Sequence, residues 1–155
     1  EDFECGEIGS EIWLKTRAWR NQCSGATRTF VSLDDNGQIA GYFALAAGSM
    51  TQRNAPGRVR RNMPEPIPTV VLARLAVATS WQRQGIGSWL VADAVSRTVV
   101  AAEAIGIRAM IVNAANESVT VFYEKLGFAR TVTELLTLVA TLRDLAATLA
   151  LPHPR

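Results

Sequence analysis

The sequence predicts a mixed-sheet α/β domain, and three observations predict it. Strand and helix patterns run as a hairpin, then strand–helix–strand–helix, then a final strand, an order that lays helices on a sheet with both parallel and antiparallel neighbours. An apolar run, Thr69 to Val77, leads through a short turn, Gln82-Arg83-Gln84-Gly85-Ile86-Gly87, into a helical pattern that begins near Gly87. The chain has 155 residues, 48% hydrophobic and 19% charged. That is enough apolar mass for one buried core, and it argues against global disorder.

Taken in order, the first element is an amphipathic helix from about Ile8 to Gln22. Ile12, Trp13 and Trp19 form its apolar face and Lys15, Arg17 and Arg20 point outward. Gly25 ends this region, and Thr27 to Leu33 alternates as a strand. Asp35-Asn36-Gly37 signals a hairpin through a type I′ turn, because asparagine and glycine accept positive φ. Gln38 to Ala47 is the return strand. Residues 48–68 carry Gly48, Pro56, Gly57, Pro64, Pro66 and Pro68, which oppose regular structure. A loop of that length in a compact domain is either a solvated flexible segment or a functional one.

The glycine turn then opens a helix to about Ile105, with Ile86, Leu90, Ala94, Thr98 and Ala102 recurring every fourth residue and Gly106 as its C-cap. Arg108 to Ala114 is a buried strand. Ser118 is a candidate N-cap for a helix from Val119 to Leu126 that stops at Gly127. Leu135 to Leu142 can form a last strand and Asp144 to Leu151 a terminal helix. His153, between two prolines, belongs to the tail.

The whole chain, 1–155, reads as a single domain. It starts at Glu1 rather than Met and shows no signal peptide, so a trimmed start is expected, with a few native residues ahead of it. No apolar run reaches the ~18 residues of a membrane span, and the chain reads as soluble and membrane-free. Cys5 and Cys23 lack metal-ligand spacing and are too few for a disulfide framework, which suits reduced thiols in a cytosolic protein and no metal.

The net charge of +2 hides a segregation. Five acids and no base occupy residues 1–14, whereas residues 15–61 hold eight bases against Asp34 and Asp35. Such a basic region permits contact with a polyanion, and arginine suits phosphate because its guanidinium binds two oxygens at once.

Two glycines in the turn leave backbone N–H groups unobstructed where a helix begins, a geometry that cradles a pyrophosphate. The turn resembles the Q/R-x-x-G-x-G/A motif of the GCN5-related N-acetyltransferases (GNAT). About 40 residues on, Asn116 with Val121-Phe-Tyr-Glu-Lys-Leu-Gly-Phe128 resembles the N-x-x-(A/S)-x-x-F-Y-x-(K/R)-x-G-F segment of that family. The alanine or serine position is shifted or altered around Val119–Thr120. Phe3-Glu-Cys-Gly6, Ile12-Trp-Leu14, Asn21-Gln22, Arg28-Thr-Phe-Val31, Gly41-Tyr-Phe-Ala-Leu-Ala-Ala-Gly48, Arg60-Arg-Asn-Met-Pro64 and Ile67-Pro68 are similar to one branch, the GNAT toxins of bacterial toxin–antitoxin pairs. The resemblance covers residues 3–145.

The resemblance implies the GNAT fold and an acetyl-CoA-dependent N-acetyltransferase that acetylates the α-amine of aminoacyl-tRNA and so stops translation. It implies a bacterial cytoplasmic protein, a homodimer, and a ribbon-helix-helix antitoxin through which alone operator DNA is contacted, the pair repressing its own operon. Acetyl-CoA would bind backbone amides from Arg83 through Ser88, within the set Gln82, Arg83, Gln84, Gly85, Ile86, Gly87 and Ser88, aided by the Arg83 side chain. Its pantetheine arm would lie between two splayed strands, pairing with Leu75, Ala76 and Val77 on one and with Ile111, Val112 and Asn113 on the other. A backbone N–H near Val77 would face the thioester oxygen, and Asn116 would hydrogen-bond the cofactor or simply cap its helix. Tyr123 would be the general acid that protonates the leaving thiolate.

No general base stands out, and the chemistry does not demand one. An α-amine titrates near 8, well below a lysine at about 10.4, and an ester lowers it further. Glu117 and Glu124 read as solvated helix residues. For tRNA phosphates the candidates are Lys15, Arg20, Arg28, Arg58, Arg60 and Arg61. The alternatives are a GNAT acting on a small amine or a protein amino group, and a non-enzymatic binding module on the same fold; binding of acetyl-CoA separates the last from the others.

Overall fold

The structure is a computed structural model and describes residues 3–149. Its elements are α1 (Ile8–Thr16), α2 (Ala18–Ser24), β1 (Arg28–Leu33), β2 (Ile39–Met50), α3 (Gly57–Arg60), β3 (Ile67–Val77), a 3-10 turn (Thr79–Trp81), α4 (Ile86–Ala101), β4 (Ala109–Asn113), α5 (Glu117–Lys125), β5 (Ala129–Arg130), β6 (Thr137–Thr141) and α6 (Leu142–Thr148). The six strands form one sheet in the order β1-β2-β3-β4-β6-β5. The α/β order read from the sequence is therefore present. The chain divides into two compact units, Glu1–Ala46 with Leu72–Val91, and Ala47–Val71 with Ala92–Arg155.

In the first unit, the predicted single helix over 8–22 is two. Glu7 caps α1, accepting from the N–H groups of Gly9 and Ser10 at 2.9 and 2.8 Å. Glu11 reaches back to the N–H groups of Cys5 and Gly6 at 2.9 and 3.0 Å, so both ends of the first turn are satisfied by carboxylates. The chain breaks at Arg17, which ends α1 and starts α2. The predicted apolar face is not buried as one: Trp13 packs against the core while Ile12 and Trp19 are exposed.

The hairpin between β1 and β2 is where the sequence located it, but its turn differs. Gly37 alone takes positive φ, at +76°, and Asn36 does not. Asp34 makes the turn instead, its carboxylate accepting from the N–H groups of Asn36 and Gln38, both at 2.9 Å. The register shifts between Ser32 and Leu33, where Ala40 is an extra residue in β2, a bulge just beyond the turn.

Phe3, Cys5, Tyr42, Ala76 and Ala78 form this unit's core, with Trp13, Leu14, Ile39 and Trp81 against it. The Tyr42 hydroxyl donates to the Ser10 carbonyl at 2.7 Å, which ties α1 to β2. Gly41 is required by space rather than by φ. A Cβ there would lie 2.9 Å from the Leu90 Cδ1 and 3.0 Å from the Ala76 carbonyl oxygen.

In the second unit, residues 51–66 are packed rather than loose. Proline and glycine interrupt them, as the sequence indicated, yet one helical turn, α3, forms and buries Val59. Ala55 and Val59 join Met50, Ile67, Ala109, Ile111 and Val139 in a continuous apolar cluster. Hydrogen bonds pin the segment: Val132 N–H to the Asn54 carbonyl at 3.0 Å and Thr133 N–H to the Asn54 side-chain oxygen at 2.9 Å.

Strands β4 and β6 pair antiparallel from Ala109↔Thr141 to Asn113↔Thr137. The short edge strand β5, unmarked in the sequence, pairs with β6 at Ala129↔Val139. The N-cap of α5 is Asn116 rather than Ser118, and α4 ends at Ala101 rather than Ile105. Helix α6 starts at Leu142, capped by Thr141, and the expected end at Leu151 lies outside the described residues, as does His153.

Candidate functional site

The glycine turn lies in the first unit, between the 3-10 turn and α4. Arg83 and Gly85 both have positive φ, +63° and +82°, so the chain curls back on itself immediately before the helix. Among the described residues, no acceptor pairs with the backbone N–H groups of residues 83–88. The first helical bond is made by the next residue, Trp89 N–H to the Gly85 carbonyl at 3.1 Å. A run of free N–H donors at a left-handed bend and a helix start is a nest, shaped for an anion such as a pyrophosphate. Arg83 is exposed, with no ion pair among the described residues.

Gln82 does something the sequence did not reveal. Its amide donates to the Cys5 carbonyl at 2.7 Å and to the Val77 carbonyl at 3.0 Å, so the side chain braces the turn from beneath. The other half of the same peptide, the Ala78 N–H, bonds the Ala40 carbonyl at 2.8 Å. Both polar groups of the Val77–Ala78 peptide are thereby held, which fixes the end of β3 beside the turn. Just upstream, the Arg74 guanidinium lies 5.8 Å from the centre of the Trp13 ring. An arginine inside an apolar strand run was the signal for it.

In the second unit, Tyr123 is 5% exposed and packs edge-on against Phe122 and Phe128. Its hydroxyl has no hydrogen-bond partner among the described residues, yet it is not a sealed orphan, since those are the hydroxyls of Thr27, Thr29 and Thr69. Burial pushes the phenol pKa well above its ordinary value. The group therefore stays protonated throughout the neutral range.

The Asn116 side-chain oxygen accepts from the Val119 N–H at 3.1 Å and from the Ser118 hydroxyl at 2.6 Å. That oxygen is spent on capping α5, and only the amide nitrogen is left to bind anything else. Asn116→Ala should cost about 0.5–2 kcal/mol through loss of the cap. At roughly 2–4 °C per kcal/mol for a chain of this size, calorimetry should read a fall of a few degrees in Tm. The Asn113 oxygen accepts from the Thr137 hydroxyl at 2.9 Å, which steadies the end of β4.

A family model described as an acetyltransferase (GNAT) domain matches residues 5–137. The chain belongs to the GNAT family. This GNAT chain is 42% identical over 145 residues to a tRNA-acetylating toxin of Mycobacterium tuberculosis (strain ATCC 25618 / H37Rv), covering 94% of this chain and 87% of that one. Its fold matches AtaT complexed with acetyl-methionyl-tRNAfMet at a TM-score of 0.86, with 29% identity over 94% of this chain and 88% of the other. AtaTR bound with acetyl-CoA matches at 0.81 with 31% identity, covering 94% and 87%. A tyrosine-to-phenylalanine variant of KacT matches at 0.85 with 29% identity, covering 94% and 88%.

The basic residues of this GNAT chain divide into free and committed. Lys15 and Arg20 are exposed on α1 and α2. Arg28 donates to the Gln22 carbonyl at 2.9 Å, which joins α2 to β1, and Arg60 donates to the Ala55 carbonyl at 3.3 Å. Arg58 meets an acid the sequence reading did not connect to it, donating through Nε and Nη2 to Asp144 at 2.5 and 2.7 Å. Glu117 and Glu124, expected to be simply solvated, both pair with Arg130, at 2.9 and 3.5 Å. Hydrogen bonding from Arg130 holds the Glu117 carboxyl below its usual range. Among the described residues, no group of three or more His, Cys, Asp or Glu could hold a metal ion.

Proposed function

We propose that the chain is a toxin acetyltransferase that moves the acetyl group of acetyl-CoA to the α-amine of aminoacyl-tRNA. The run of free N–H groups at residues 83–88 carries the donor half of this reading, since six backbone donors at a helix start fit a pyrophosphate. The acceptor half rests on the 42% identity to a tRNA-acetylating toxin and on the likeness to AtaT complexed with acetyl-methionyl-tRNAfMet. Likeness to the AtaT–AtaR complex bound to DNA supports an antitoxin partner and operator contact made with it. A homodimer would match a twofold antitoxin. No helix among the described residues is long and apolar enough to cross a membrane, and a cytoplasmic location suits a protein that meets charged tRNA.

In this reading the neutral amine nitrogen attacks the thioester carbon and the C–S bond breaks. The amine loses a proton to water, and the departing sulfur gains one from Tyr123. Leu75, Ala76 and Val77 offer backbone to the pantetheine arm, with the Val77 N–H on the thioester oxygen, a donor worth about 10²–10³ in rate. The Gln82 brace on the Val77 carbonyl keeps that backbone in place. Asn113 ends the strand on the other side of the arm, and the Asn116 amide nitrogen serves as a donor to it.

No enzymatic base is needed because an α-amine next to an ester titrates below about 8. The rate should therefore rise with pH through the acceptor's own pKa and then stay level to about pH 10. Tyr123, with its pKa raised by burial, remains protonated across that range and adds no falling limb. Single-turnover rates from pH 6 to 10 check this, and a fall below pH 9 would contradict it. Radiolabelled acetyl-CoA offered with charged tRNA, deacylated tRNA, polyamines and protein tests the assignment as a whole. Label is expected on charged tRNA alone.

A further inference from the structure

Where α3, the start of β4 and the start of α6 meet, the second unit holds a cavity of about 390 Å³ whose lining includes Arg58, Arg61, Arg108, Arg143, Thr141 and Asp144. Four arginines and one aspartate are among the lining residues, and no apolar residue type is. The residues come from positions 58 to 144, so their association is a product of folding and not of a sequence run. We propose that this cavity is a phosphodiester-binding pocket for the RNA backbone of the acceptor, a role that rests on the aminoacyl-tRNA reading above.

The geometry has the parts such a pocket needs. Arg108 is half-buried and pre-positioned, its Nε and Nη2 donating to the Val59 and Arg58 carbonyls at 3.1 and 3.0 Å. Arg61 and Arg143 are exposed and have no ion-pair partner among the described residues. Arginine forks match two phosphate oxygens and keep their charge at any physiological pH. A peptide that docks through apolar side chains would need apolar subsites, and the lining offers none. A phosphodiester asks only for charge and N–H donors.

Asp144 is the regulating element. It occupies the Arg58 fork, and the Arg58 side chain is 77% exposed. The guanidinium faces solvent, so an arriving phosphate can compete with Asp144 for the fork. Removal of the Asp144 charge should therefore tighten RNA binding, a sign that no purely structural role of Asp144 would produce.

The test uses the full chain and an RNA hairpin copying a tRNA acceptor arm, with binding followed by fluorescence anisotropy between about 50 and 200 mM salt. Each lost phosphate contact lowers the log–log salt slope by about 1. Arg61→Gln with Arg143→Gln should weaken binding at least tenfold and reduce the slope by about 2, with acetyl-CoA affinity unchanged. Asp144→Asn should strengthen binding several-fold and steepen the slope. Unchanged affinity and slope in the double variant, or weaker binding by Asp144→Asn, would overturn the pocket. If the double variant still acetylates charged tRNA like the wild type and binds RNA equally well, the pocket fails and the acceptor assignment stands. A wild-type protein inert on every charged tRNA overturns both.

Discussion

Tyr123→Phe is expected to lower kcat by about two to four orders of magnitude, the range that a positioned proton donor supplies. The KM values for acetyl-CoA and for the acceptor should change little, because the hydroxyl acts on the sulfur only as the C–S bond breaks. The same substitution should leave stability intact. In the free protein the Tyr123 hydroxyl bonds to nothing among the described residues, while its ring packs against Phe122 and Phe128. Phenylalanine keeps that packing and removes a poorly solvated oxygen, so Tm should hold or rise slightly. A variant that retains near wild-type kcat would remove Tyr123 from the chemistry. A variant that loses activity together with several degrees of Tm would make its role structural.

Replacement of Gly85 should act on the donor instead. A Cβ at this position would meet no atom within 4 Å, so crowding is not the obstacle. The obstacle is the backbone, since φ of +82° costs an L-residue about 1–2 kcal/mol. Gly85→Ala should lower Tm by a few degrees if the bend survives. It should weaken acetyl-CoA by tenfold or more, because the bend aims the N–H groups of residues 83–88. Isothermal titration with coenzyme A separates the two effects. Loss of affinity for coenzyme A with no loss for a pantetheine thioester lacking the pyrophosphate would locate the defect at the turn. Equal loss for both would contradict that location.

What could be read in the sequence was what depends on neighbours along the chain. The glycine turn was legible because positive φ and a helix start are local, and Gly85 carries them whatever surrounds it. The hairpin was legible for a related reason, although Asp34 closes it with two Asx bonds and Asn36 takes no left-handed conformation. Periodicity over 8–22 could not show the break at Arg17, because residue spacing does not register a local interruption of the helix, nor which apolar residues find a partner in the fold. Hence Trp19 was assigned to the core and is 77% exposed. Residues 48–68 read as an irregular loop, flexible or functional, from their prolines and glycines, but 48–50 and 67–68 belong to strands, and Ala55 and Val59 are buried against β4 and β6, contacts made far along the chain.

The candidate site divides in the same way. Tyr123 and the turn are singled out through motif resemblance, whereas the Gln82 brace on Val77 and Cys5 depends on where β3 ends and how the N-terminal segment returns to it. The basic patch is read from the sequence as an excess of lysine and arginine over acids in residues 15–61. Folding redistributes it: Arg28 and Arg60 bond to backbone carbonyls, Arg58 pairs with Asp144, and Arg108 and Arg143 join from elsewhere. Charge in a sequence is additive, but its use depends on pairing, and pairing is long-range.

The most direct measurement concerns the chemical identity of the acetylated product. Charged tRNA is incubated with the protein and isotopically labelled acetyl-CoA, the aminoacyl ester is cleaved with mild base, and the released fraction is analysed by mass spectrometry. The account predicts an amino acid labelled on its α-nitrogen, produced by the wild type and reduced at least a hundredfold with Tyr123→Phe. Label retained on the RNA after ester cleavage, or found only on protein or a free amine, would contradict it.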